Sequence, residues 1–154
     1  MSIFPTRILL ATDGSVVSEL ALSTTVDLAN STNSELHVVQ IVGPYYPDLQ
    51  TLRDPAFEAM LQGLEQEAQK LLDGQVRKIE EAGGTVQEAH SRRGRADQEI
   101  VDLGEEIGAG LIVMGSRGLG GVRRALMGSV SDSVVRHAHC PVLVVRKEDH
   151  QAAR

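Results

Sequence analysis

Residues 115–131 read GSRGLGGVRRALMGSVS, a stretch in which Gly115, Gly118 and Gly128 stand at the spacing G-x2-G-x9-G with Ser129 directly after the last glycine. Glycine lets a backbone amide approach a ligand with no Cβ in the way and reaches left-handed backbone at little cost. A helix beginning at Gly128 and Ser129 would offer unpaired amides and a positive dipole end, which attract anions. The hydroxyls of Ser129 and Ser131 add donors. Arg117, Arg123 and Arg124 lie in the same stretch, which contains no Asp or Glu. The chemistry this suits is binding of a di- or triphosphate, with Arg117, inside the glycine frame, the best placed of the three cations. Each charge-assisted hydrogen bond to phosphate is worth about 1.5–3 kcal/mol, so a few suffice for micromolar binding at about −8 kcal/mol. A surface loop whose arginines merely sit in solvent would have the same composition, so glycine count alone does not choose between the two. No Gly-Lys-Ser/Thr occurs, and no G-x-G-x-x-G follows the first apolar run, so the stretch is neither a Walker A loop nor a dinucleotide fingerprint.

Such a loop must be held by a scaffold, and the apolar pattern names one. An apolar run at 7–12 stops at Asp13-Gly14-Ser15 and reads as a buried strand, with Ser15 or Asp13 placed to cap a following helix. Leu20, Ala21, Thr24 and Leu28 then recur at helical spacing. Residues 35–42, ELHVVQIV, form a second strand, and 43–55, with three prolines, a loop. Phe57, Met60, Leu61, Leu64, Ala68, Leu71, Leu72, Val76 and Ile79 predict a long amphipathic helix ended by Gly83-Gly84. A weaker strand at 85–91, a helix at 97–107 carrying Ile100, Leu103 and Ile107, and a strand at 111–114 entering Gly115 follow. The chain closes with a helix at 129–138 carrying Val130, Val134 and Ala138, and a strand at 141–145. Strictly alternating strands and helices require right-handed crossovers and predict an open parallel sheet, covered on both faces. In such sheets ligands bind beyond the carboxyl ends of the strands, where the strand order reverses. Thr12-Asp13-Gly14 and Met114-Gly115-Ser116 are the two strand ends that carry unusual chemistry.

Composition agrees with that scaffold and narrows the partners. The 154 residues suit one domain, expected over 1–147 with a polar tail at 148–154. Aromatics are only 3% and Trp is absent, so the core must be aliphatic, as parallel sheets are. A formal net charge of −6 lacks the field that attracts phosphate backbones, so nucleic acid is not an expected partner. No basic n-region with an apolar stretch opens the chain, and no run approaches the ~18 apolar residues that cross a bilayer. With one cysteine, Cys140, an internal disulfide is impossible, and the cytoplasm is the expected location.

The matching pieces now in view are ILLATDGS at 8–15, IVMGS at 112–116, the G-x2-G-x9-G-S loop, GSVS at 128–131 and CPVLVVR at 140–146. In this order they resemble the universal stress protein family, specifically its ATP-binding branch, over nearly the whole chain. The resemblance implies an adenine nucleotide alpha hydrolase-like sheet of order 3-2-1-4-5, with ATP in the crevice beside strands 1 and 4. It implies that Ala11, Thr12 and Asp13 lie beside ribose and phosphates, that Ile41 meets adenine through backbone groups, and that Met114 and Gly115 flank the ribose. Gly118, Gly128, Ser129, Val130 and Ser131 would hold the phosphates, with Mg²⁺ or Mn²⁺ bridging their oxygens; AMP or a cyclic nucleotide fits the same crevice. One departure stands out: Gln40-Ile41-Val42-Gly43 replaces the family's usual His-Val-hydrophobic-Asp. Asp13 near phosphates implies a ribose hydroxyl or a metal between them, alongside a role as helix cap. The last strand, with Pro141 and Arg146 at its ends, is an uncharged edge, and the resemblance implies that it pairs with its copy in a homodimer.

Other residues point less far. His137, His139 and Cys140 lack a fourth ligand for zinc, and Cys140 has no second cysteine to resolve an oxidised form. Tyr45 and Tyr46 either close over adenine or cover the base of their loop. Three functions follow, in this order: a regulatory ATP-binding module with at most slow hydrolysis, a dimeric scaffold binding no nucleotide, and a true ATPase or nucleotidyl transferase. The last would need a His-x-x-His motif where Asp13-Gly14-Ser15-Val16 stands.

Overall fold

A computed structural model describes residues 2–42, 53–116 and 128–146. The elements run β1 (Arg7–Ala11), α1 (Val16–Thr32), β2 (Glu35–Val42), α2 (Pro55–Glu81), β3 (Val86–Arg93), α3 (Ala96–Ile107), β4 (Leu111–Gly115), α4 (Ser129–His137) and β5 (Val142–Val145). The strands form one sheet of order β3-β2-β1-β4-β5, every neighbouring pair parallel. The expected doubly wound fold is what the chain adopts.

Strand alternation divides the core in two. Ile8 and Leu10 of β1, with Leu36, Val38, Leu111 and Val113, pack against Ala21, Leu22, Val26 and Ala29 of α1 and Leu72 and Ile79 of α2. Leu9, Ala11, Val39, Ile112 and Met114 face the other way, against Ile100, Val101 and Leu103 of α3 and Val134 of α4. The central strands are apolar at consecutive positions because both faces are covered.

The helices differ from their sequence reading in which residues they bury. Among the described side chains of α1 the buried set is Ser18, Ala21, Leu22, Thr25, Val26 and Ala29, while Leu20 is exposed. In α2 only Ala68, Leu72, Gln75 and Ile79 are buried, and Met60 and Leu71 project outward. The helix is long, 27 residues, and its buried residues all lie from Ala68 onward. In α4 Val134 is buried and Val130 exposed. Strand β3 extends two residues past its expected end, and its polar pattern follows from its place at the sheet edge.

Candidate functional site

Strand β1 lies between β2 and β4, and the chain leaves its neighbours in opposite senses. After β1 it enters α1 on the first face; after β4 it enters α4 on the second. The carboxyl ends of β1 and β4 therefore flank the point where strand order reverses, and the crossovers leave a crevice there.

Each strand end is fixed by a local device. The ladder runs one residue past β1, with Thr12 N donating to Val39 O at 3.0 Å. The Thr12 hydroxyl is buried, 3.1 Å from Gln75 Oε1 on α2 and 3.3 Å from Ser18 Oγ on α1. Asp13 is exposed, and its Oδ1 accepts from Ser15 N at 2.9 Å, closing an Asx turn. Gly14 has φ +79°, which an L side chain rarely adopts. Ser15 is the N-cap of α1, its Oγ accepting from Ser18 N at 3.2 Å. Of the two capping candidates, Ser15 caps the helix and Asp13 shapes the turn before it.

At β4, Ser116 N donates to Val145 O at 2.8 Å, so this ladder also runs one residue on. A Cβ on Gly115 would lie 2.7 Å from Val17 Cγ1, so only glycine lets α1 pack this close to the strand end. At Gly128 the described chain is again beside the end of β4. Gly128 N donates to Ser116 O, and the buried Ser131 hydroxyl donates to Ser116 O at 2.7 Å and lies 3.1 Å from Gly128 O. These bonds clasp the start of α4 to the end of β4. Gly128 is the N-cap and makes no side-chain cap bond, while Ser129 and Val130 are exposed. Amides of the first helical turn lack intrahelical partners and carry the positive end of the helix dipole.

The fold thus brings Ala11, Thr12, Asp13, Met114, Gly115, Gly128, Ser129, Val130 and Ser131 to one end of two adjacent strands. Ile41 sits at the same end of β2, half-buried and packed in the second core. Ala11 and Met114 turn their side chains into that core, so only their backbone can meet a ligand. In this structure the Ser131 hydroxyl donates to Ser116 O and serves the clasp. Arg117, Gly118, Arg123, Arg124, Tyr45, Tyr46 and the tail lie outside the described residues. Gln75 was missed, although a glutamine between Leu72 and Ile79 on an apolar stripe signals a buried polar partner.

The other chemistry-bearing residues fall elsewhere. His137 Nδ1 meets Ser133 O at 2.8 Å, and His139 pairs with Glu105 at 3.4 Å, so these histidines do not converge with Cys140. Burial pushes the Cys140 thiol up, which disfavours the reactive thiolate. Asp97 is held down at about 2 by the Arg95 guanidinium, helped by the Ser133 hydroxyl and the Gln98 amide. Among the described residues, a group of His, Cys, Asp or Glu that does converge is His37, Glu88 and His90, across β2 and β3. No described helix is long and apolar enough to cross a membrane.

The parallel sheet of order β3-β2-β1-β4-β5, together with its likeness to solved universal stress protein structures, places the chain in the adenine nucleotide alpha hydrolase-like fold of doubly wound α/β proteins. Residues 5–146 match the family model described as the universal stress protein family. Universal stress protein MJ0531 of Methanocaldococcus jannaschii is 35% identical over 141 residues, covering 92% of this chain and 82% of its own. The chain therefore belongs to the universal stress protein family. Among solved structures, universal stress protein UspA from Lactobacillus plantarum superposes with TM-score 0.81 at 23% identity, covering 94% of this chain and all of that one. A universal stress protein in complex with cAMP, 25% identical, gives 0.66 and covers 94% of this chain and 99% of its own.

Proposed function

We propose that this chain is a regulatory nucleotide-binding module that holds ATP, through Mg²⁺ or Mn²⁺, beyond the carboxyl ends of β1 and β4. The observation that carries the reading is the clasp at Ser116, which sets the uncapped first turn of α4 against the end of β4. Backbone amides of Ser129 and Val130 then meet phosphate oxygens, and the Ser129 hydroxyl donates to them. The undescribed Arg117 and Gly118 complete the cradle in this reading. Thr12 and Asp13 face ribose and phosphates, with one Asp13 oxygen engaged in its turn and the carboxylate exposed for a hydroxyl or a phosphate-bound metal. The backbone of Ile41 meets adenine, and that of Ala11, Met114 and Gly115 lines the ribose. The relative in complex with cAMP supports an adenine nucleotide as the ligand class.

Metal and phosphate positioning alone give slow hydrolysis at most. The half-buried β5, from Val142 to Val145, pairs with its copy in a homodimer, so that nucleotide state is read at a subunit surface.

The test is direct. Denature the purified protein, identify any released nucleotide by mass, then titrate Mg-ATP, AMP and cAMP calorimetrically into the emptied chain. Binding of Mg-ATP that Gly128→Val weakens at least about tenfold, with the circular dichroism spectrum retained, is the expected result. Unchanged affinity in that variant removes the site. No adenine-nucleotide binding, together with a dimeric mass in light scattering, leaves the scaffold reading instead.

A further inference from the structure

A second polar cluster lies on the face of the sheet that α3 covers, away from the crevice. His37 of β2 is buried, its side chain only 6% exposed, while His90 and Glu88 of β3 are 13% and 62% exposed. One ligand atom from each of the three lies within 4.8 Å of the others. We propose that His37, His90 and Glu88 form a binding site for a divalent transition-metal ion of the zinc type, pinning the edge strand β3 to β2.

Three observations carry this. The first is the separation of the imidazoles: His37 Nδ1 lies 3.4 Å from His90 Nε2. At that distance a hydrogen bond between the two rings is a weak one. The same separation is the spacing of two nitrogens sharing a tetrahedral ion at about 2.0–2.1 Å, where the ligand–ligand distance is about 3.4 Å.

The second is how the buried ring is held. His37 Nε2 sits 3.5 Å from Glu35 Oε2, and that carboxylate accepts from Arg7 Nε at 3.0 Å. A carboxylate on the side of the far nitrogen favours the proton there electrostatically and leaves Nδ1 to ligate, the arrangement that orients metal-binding histidines. The neighbouring cation is also neutralised: Arg92 is bound by Glu106 at 2.8 and 3.1 Å and by Glu99 at 3.1 Å.

The third is the register. The pairing runs Leu36↔Val86 and then His37↔Glu88, an irregularity of one extra residue on β3. A one-residue shift moves side chains to the opposite face of a sheet. Had β3 continued in step, Glu88 and His90 would pair with Val38 and Gln40 and point away from His37. The bulge brings both to His37's face, at an exposed edge through which an ion can enter.

Zinc alone, as the chloride, is the probe, titrated against a chromogenic chelator into the full, tag-free chain. The expected result is one ion per chain, a raised Tm, and a Co²⁺ form with a four-coordinate visible spectrum. His90→Gln and Glu88→Gln, both at the exposed edge and checked for retained fold, lose more than about tenfold in zinc affinity, and Glu35→Gln about tenfold. The double variant His137→Gln/His139→Gln keeps wild-type affinity. Zinc affinity unchanged in His90→Gln, or lost in the His137/His139 variant, overturns the proposal. Because the site is separate from the crevice, Mg-ATP affinity is expected to be the same in His90→Gln and wild type.

Discussion

Replacing Ser131 by alanine tests the clasp on which the crevice depends. The hydroxyl donates to Ser116 O at 2.7 Å, lies 3.1 Å from Gly128 O, and is 2% exposed. Removing it does not orphan Ser116 O, which keeps the Gly128 amide, nor Gly128 O, which accepts from Asp132 N at 2.9 Å. The loss is therefore nearer the net value of one hydrogen bond, about 1–1.5 kcal/mol, than the full cost of an unsatisfied buried carbonyl. In a domain of this size that is a fall in Tm of about 2–6 °C. The functional effect should be larger than the stability effect, because the start of α4 would then be held to β4 by the Gly128 amide alone. Mg-ATP affinity is expected to drop about tenfold at temperatures where both proteins are fully folded. Chemical denaturation gives the first quantity and calorimetry the second. A Ser131→Ala protein of wild-type stability and wild-type affinity would refute the reasoning outright.

Gln75→Leu removes the partner of the Thr12 hydroxyl, which keeps Ser18 Oγ within 3.3 Å. Nucleotide affinity should fall several-fold, and a double-mutant cycle with Thr12→Val should give a coupling of about 0.5–1.5 kcal/mol; additive effects would contradict the link. Asp97 is held at about 2 in the folded chain, below its unfolded value, so it stabilises while ionised and that contribution fades as pH falls from about 4 to 2. With Arg95 largely exposed, the contribution is about 1–2 kcal/mol. Unfolding free energies of wild type and Asp97→Asn should differ by that amount at pH 6 and converge toward pH 2; a gap constant with pH would show that the charge is not its source.

The strand ends were legible because glycine and small polar residues interrupt apolar runs only where the chain must turn. ILLA before Thr12-Asp13-Gly14 and LIVM before Gly115-Ser116 each announce a buried strand reaching a surface. Alternation of strands and helices then fixes crossover handedness and an open parallel sheet; the sheet order, and with it the switch point, comes from the resemblance of the strand-end motifs to the universal stress protein family. Which hydroxyl stays exposed and which is committed to the scaffold was not legible. Ser129 and Ser131 are chemically alike two residues apart, and only the path of α4 past Ser116 turns one outward and buries the other. Helix faces were misread for a related reason. Apolar periodicity reports which residues could be buried, and in α2 tertiary packing buries only positions from Ala68 onward.

The edge strand makes the same point more sharply. From residues 85–91 alone, a polar, poorly alternating strand is a weak one, and nothing in its pattern singles out Glu88 or His90. Pattern gives the side-chain period of a strand but not where an extra residue enters the ladder, and that residue inverts the facing of everything after it. Val86 packs into the first core with Leu36, yet His90, four positions on, meets His37 on the opposite face, a change of side that an unbroken period of two forbids. The bulge between them is what reconciles the two. If its purpose were only to end pairing early, the ladder would stop there; instead it continues for six more residue pairs, from His37↔Glu88 to Val42↔Arg93. An irregularity that costs a ladder bond but preserves the strand is explained by what it re-aims, and here it re-aims a glutamate and a histidine at a buried imidazole.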